Sequence, residues 1–131
     1  MRKEIENRQD IEKLVETFYP RVKQDDVIGY IFNKKSNMVW ETHIPVMYNF
    51  WDTILLGAQN YHGGVMFKHI QLDKKEPLTA DHFSRWKNLF HGTVDEVFVG
   101  DHADEAKRWV EMMEKLMLFK IEQSRKPGFI Q

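Results

Sequence analysis

A chain of 131 residues, 42% hydrophobic and 30% charged, has enough apolar material for one globular core and at this size buries roughly two thirds of the surface its unfolded form exposes. Its net charge of −1 lacks the basic excess of a generic nucleic-acid binder, and the absence of cysteine excludes disulfides, thiolate metal ligands and cysteine nucleophiles. The first six residues alternate charge without an apolar core, so no signal peptide is expected. No run approaches the roughly 18 apolar residues of a membrane span, and a cytoplasmic location is the expectation.

Ile11, Leu14, Val15, Phe18 and Val22 recur at helical spacing and predict a first amphipathic helix over about 8–24. Pro20 removes a backbone donor, which predicts a kink or an early helix end near Phe18. A short apolar helical turn follows at 27–32 and stops at Asn33. The next helix carries Met47, Phe50, Trp51, Ile54 and Leu55 on one face and ends before Gly57. Pro45 is expected in its first turn, where a missing N–H costs little, with His43 at or just before the start. Residues 57–64 read as a loop, and 65–72 as a short apolar segment carrying His69 and closed by Pro77.

Thr79 is a candidate N-cap for a third long helix, whose apolar face runs Phe83, Trp86, Phe90, Val94 and Val97. Gly100 is expected to end it and Asp101 to cap the last helix, with Asp104 in a box-like position. That helix is expected to bury Trp109, Val110, Met113, Leu116 and Met117, with Phe119 at the edge of the stripe, before a frayed tail at 124–131. No period-2 run is long enough for a sheet and no repeat or linker divides the chain. The expectation is an all-α fold in one domain over 1–131, with its core at about 8–122.

Four Trp, four Tyr, nine Phe and seven Met make either a bulky core or a pocket for a flat apolar ligand. Without cysteine, a metal must be held by His, carboxylate, Met or Tyr. None of the six histidines follows a Glu by three residues, which argues against zinc-protease and carboxylate-bundle sites. His69 stands among Met66, Phe67, Ile70 and Leu72. A lone histidine in such company is ordinarily a core or boundary residue. A haem iron asks for a neutral imidazole, apolar walls and a partner that fixes the ring tautomer, and this segment fits that demand. His43 either faces the other side of the same pocket or points to water. Tyr19 falls between Val15 and Val22, so its ring is expected to be buried and its hydroxyl to need a partner. Trp86 offers one N–H from its apolar helix face.

Taken in order, these residues resemble the truncated haemoglobins, group III in particular. Phe18-Tyr19 followed by Phe32 looks like the family's distal tyrosine and haem-stacking phenylalanine. Trp40-Glu41-Thr42-His43-Ile44-Pro45 with Asn49-Phe50-Trp51 resembles its distal helix, Phe67-Lys68-His69-Ile70-Gln71-Leu72 its proximal segment, and Phe83 to Phe90 the stretch with the distal-pocket tryptophan. The resemblance spans roughly residues 10–120. Groups I and II carry paired glycines at helix junctions, whereas Gly63-Gly64 is the one pair here.

The resemblance implies a globin-like two-over-two helical sandwich around haem b, with a proximal helix that is short or partly unwound. His69 would be the axial ligand, and Phe32, Met47, Phe50, Phe67 and Trp86 would contact the macrocycle. Lys68 either reaches a haem propionate or stays solvated. Tyr19, Trp86 and His43 would face a diatomic ligand such as dioxygen, although Ile44-Pro45 restrains the backbone beside His43 and leaves its direction open. Two hydrogen-bond donors would slow ligand release, which suits sensing or redox chemistry better than delivery. A haem enzyme, peroxidase-like or oxidising nitric oxide through an external reductase, is the second reading. A haem-free helical interaction module is the third, with Met38 and Met112 as candidates for a dimer face.

Overall fold

Helix α1, Arg8–Lys23, starts at Asn7, whose extended backbone and side-chain oxygen accept the Asp10 N–H at 3.0 Å. The computed structural model describes residues 2–35, 39–61 and 63–126, and of Met66 and Phe67 the backbone alone. Ile11, Leu14, Val15, Phe18, Tyr19 and Val22 form the buried face of α1. Against the expectation of an early end, α1 runs through Pro20 to Lys23, and the Gln24 N–H closes the last turn on the Pro20 carbonyl at 3.2 Å. An interior proline costs about 3 kcal/mol. Tyr19 and Val22, both buried beyond the expected break, each return roughly 1.5–3 kcal/mol. Pro20 itself faces solvent, so water can satisfy the carbonyl that loses its partner.

The same logic moves the start of α2, Trp40–Leu56. Pro45 sits inside this helix in its second turn, not its first, and Ile44 before it is helical. Pro45 is exposed, while Trp40, His43, Ile44 and Met47 are half-buried. Their packing overrides the usual bias against helical backbone before proline. Helix α3, Val65–Lys75, is three residues longer than expected and is one continuous α-helix.

Helices α4, Ala80–Val97, and α5, Asp101–Ser124, complete the fold. Helix α1 packs on α2 and α4, α4 packs on α5, and α2 and α3 both rest against α5. The result is the all-α two-over-two layering that the sequence predicts. At its centre Phe18 meets Tyr19, Trp86 and Phe90 edge-on, with ring centroids 5.0, 5.0 and 5.2 Å away. Such pairs add about 0.5–1.5 kcal/mol each beyond area burial.

The turn after α1 is held by Asp25, which accepts the Val27 and Ile28 N–H groups at 2.9 and 3.0 Å and pairs with Arg85 of α4. Gly29 is required here, since a Cβ would come within 2.7 Å of the Lys23 carbonyl oxygen. A single π-helical turn at Ile31–Lys35 follows, and it carries Phe32 into the region described below. Thr79 caps α4 as expected, its hydroxyl accepting the His82 N–H while the His82 ring accepts the Thr79 N–H, both at 3.2 Å.

The cap of α5 differs from expectation. Gly100 is its N-cap and offers no side chain, and Asp101 is already helical. The first-turn amides go instead to Glu4, whose carboxylate accepts His102 N–H at 3.1 Å and Ala103 N–H at 3.2 Å. Gly100 has φ 125°, and a Cβ there would run into the Glu4 carboxylate. Residues 3–5 form a strap beside it, with Ile5 fully buried, Val99 N–H donating to Lys3 at 2.9 Å and the His102 ring bonded to the Ile5 carbonyl.

Helix α5 buries Ala103, Ala106, Val110, Met117 and Ile121. Leu116 and Phe119, expected inside, are 42% and 54% exposed, and Trp109 and Met113 are half-buried. The two small alanines let α5 approach the core by that face, which turns Leu116 and Phe119 outward beside Met112. Met38 and residues 127–131 of the expected tail lie outside the described residues. No helix among the described residues is long and apolar enough to cross a membrane.

Candidate functional site

Helix α3 presents His69, half-buried between buried Ile70 and exposed Lys68. Its Nδ1 lies 2.7 Å from the Val65 carbonyl oxygen. A carbonyl can only accept, so Nδ1 carries the proton and Nε2 keeps its lone pair. Burial pushes the pKa of His69 down, and the bond to Val65 pulls more weakly the other way. The ring is therefore neutral near pH 7, as a metal ligand must be. Phe83 of α4 lies 6.2 Å from it at 33°. The far end of α3 is fixed by buried Asp73, which accepts the Leu78 N–H at 2.7 Å and pairs with Arg125 at 3.0 Å.

A second group of side chains comes from α1, the π turn and the start of α2. The Tyr19 ring stands 5.7 Å from His43 and 5.6 Å from Trp40, edge-on to both. Trp40 lies 5.9 Å from His43 and 6.2 Å from Phe32, and the Lys23 ammonium sits 4.5 Å over its ring. Burial lowers the pKa of His43 to about 4, assisted by the charges of Lys68 and His69. Burial alone pushes the Tyr19 phenol well above its ordinary value, so its hydroxyl stays protonated. Among the described residues that hydroxyl makes no hydrogen bond.

Tyr19, His43 and Phe32 are thus brought together. Trp86 of α4 joins them only through Phe18, 5.0 Å from both Tyr19 and Trp86. Met47 is half-buried on α2, Phe50 is buried against Trp51 and Tyr61, and Lys68 is exposed. The Phe67 side chain lies outside the described residues. Trp40 and Phe83 complete the two sides and were not singled out as site residues. Trp40 stands in the motif read for the distal helix, and Phe83 was visible as the first apolar residue of α4.

Comparison with known proteins gives the family. A sequence model of the bacterial-like globin family matches residues 3–120, and the chain belongs to that family. The group 3 truncated hemoglobin of Campylobacter jejuni is 35% identical over 101 residues, which cover 75% of this chain and 77% of that one. The crystal structure of a group III truncated hemoglobin from the same species superimposes with a TM-score of 0.79 at 27% identity, covering 99% of this chain and 100% of that one. Within the family, the chain stands with the group III truncated haemoglobins. Membership implies a haem-binding protein that takes a small ligand.

The side chains present fit a haem. No group of three or more His, Asp or Glu residues able to hold a bare metal ion occurs among the described residues. An iron at His69 would need its remaining ligands from elsewhere, and a porphyrin supplies four nitrogens. Half-buried Phe32, Met47, Leu72, Phe83 and Trp86 are apolar surface of the kind a flat macrocycle covers.

Proposed function

We propose that this chain is one globin domain that holds haem b through Nε2 of His69 and binds dioxygen or another diatomic ligand on the side of Tyr19 and Trp86. The observation that carries it is the His69 ring, neutral and fixed by Val65 at 2.7 Å, with the Phe83 ring 6.2 Å away. Haem b supplies a ferrous iron with an open coordination position. Everything else falls to the protein. His69 offers a lone pair of set direction. Phe32, Met47, Phe50 and Phe83 would exclude water, and exposed Lys68 would offer its ammonium to a haem carboxylate.

Tyr19 and Trp86 act as donors to the ligand, since Tyr19 stays protonated and neither group spends its hydrogen on the described protein. In a dry site, a hydrogen bond to a partly charged acceptor is worth about 1.5–3 kcal/mol. Neutral His43 holds Tyr19 from the side and adds no charge. The test is an absorption spectrum of purified protein after haem addition, with and without reductant and carbon monoxide. A Soret band that shifts on reduction and again with carbon monoxide supports the reading. No Soret band rejects it.

A further inference from the structure

Resting on that reading, we infer that aromatic rings leading from the pocket to the α2–α3 loop form a path for one-electron oxidation that ends on Tyr61. Trp86 and Phe90 stack with centroids 5.4 Å apart and planes 4° from parallel, and Phe90 stacks on Trp51 at 5.0 Å and 17°. Trp51 meets Phe50 at 5.0 Å, and Phe50 meets Tyr61 at 5.1 Å. The rings alternate in a useful way. Indole and phenol lose an electron more readily than any other aromatic side chain, so Trp86, Trp51 and Tyr61 are the stations. Phe90 and Phe50 are the spacers, and they keep each gap filled with π density.

Burial fits a conduit with one wet end. Phe90, Trp51 and Phe50 are 1%, 3% and 9% exposed. Tyr61 is half-buried beside exposed Gly63 and Gly64. The phenolic proton is then free to leave to water when the electron leaves inward. Tyr30 and Tyr48 lie off this line, their hydroxyls donating to Glu76 at 2.9 Å and Glu16 at 2.7 Å.

The oxidant is hydrogen peroxide admitted to the haem pocket. Its reduction to two waters takes two electrons and two protons, which two Tyr61 side chains from two molecules supply, one of each apiece. The two phenoxyl radicals then join by one carbon–carbon bond ortho to the oxygens, and the ring hydrogens at that bond move to the oxygens. Two phenols and one peroxide thus become one dityrosine and two waters. The consequence is that oxidising equivalents leave the ligand pocket and are presented at one surface phenol, where an external reductant can meet them.

The experiment mixes haem-loaded protein, its Soret band recorded first, with hydrogen peroxide and a nitroso spin trap, and maps adducts by peptide mass spectrometry. We expect trap adduct on Tyr61, background labelling of Tyr30 and Tyr48, and a covalent dimer through Tyr61 when the trap is omitted. Trp51→Phe should keep the Soret band and the helical circular dichroism, lose the Tyr61 adduct and the dimer, and move oxidation back to Trp86. Tyr61→Phe should lose both the Tyr61 adduct and the dimer and keep the Soret band. Equal labelling of Tyr61, Tyr30 and Tyr48 in the unmutated protein overturns the proposal without any variant. An undiminished Tyr61 adduct in Trp51→Phe overturns it as well. Failure to form a Soret band overturns the haem reading and this inference with it, whereas a Soret band without Tyr61 oxidation overturns this inference only.

Discussion

The Nδ1 of His69 lies 2.7 Å from the carbonyl oxygen of Val65, one turn back on the same helix. The ring is oriented by the backbone of its own helix, with no carboxylate bonded to it among the described residues. A carbonyl partner fixes the tautomer but adds less electron density to the imidazole than a carboxylate would. The orientation therefore survives substitution of the Val65 side chain and depends on the helical turn itself.

His69→Ala should abolish the reduced-state spectrum of the haem-loaded protein, because it removes the imidazole whose lone pair Val65 sets in direction. Imidazole added to that variant should restore it, since the apolar walls remain. An unchanged spectrum in His69→Ala would show that a different residue holds the iron.

Tyr19→Phe removes one donor and almost no volume, and Trp86→Phe removes one donor together with part of a packed ring. Each should speed dioxygen release about tenfold, at roughly 1.4 kcal/mol per decade. Stopped-flow displacement measures the rate directly. A rate that hardly changes in both variants would remove these residues from the ligand's environment.

Glu4→Ala strips α5 of its cap and should cost about 0.5–2 kcal/mol. Gly100→Ala should cost more than that loss alone, because it places a Cβ against the Glu4 carboxylate at φ 125°. Thermal melts of both variants check this. The double variant should be less destabilised than the sum, since removing the carboxylate removes the clash.

Acid stability depends on carboxylates such as Asp73. Burial acts to raise its pKa, but bonds from Arg125 and the Leu78 N–H outweigh it and hold the group below its ordinary value of 3.8. The folded state thus binds fewer protons than the unfolded one, so Asp73 contributes fully above pH 3.8 and loses its contribution as pH falls through the lower, folded value. Asp73→Asn should cost about 1–2 kcal/mol at pH 7, toward the lower end for charged hydrogen bonds because Arg125 is 45% exposed. The gap between the two melting temperatures should close as pH drops below 3.8.

Much of the fold was readable where the signal is local. The α1 stripe from Ile11 to Val22, the Thr79 cap and the α4 face from Phe83 to Val97 depend only on neighbours three or four residues away. Pro20 and Pro45 misled because a proline's local cost says nothing of the rings packed around it. Leu116 and Phe119 misled because α5 has apolar residues on two faces, and only Ala103 and Ala106 reveal which one approaches the core. At the site, His69, Tyr19 and Phe32 stand out as candidates through their order along the chain. The contact of Trp40 and His43 with Tyr19 joins two separate helices and has no sequence period.

Glu4 and the amide it caps at His102 are 98 residues apart. During synthesis the carboxylate leaves the ribosome long before its helix exists, and Ile5 waits with it, exposed. α1 to α4 can pair early, but the strap can dock only after α5 emerges. Contacts of such long sequence separation form late. This protein should therefore close its surface only after α5 has emerged, and a nascent chain stalled before α5 should be the form that chaperones and proteases see.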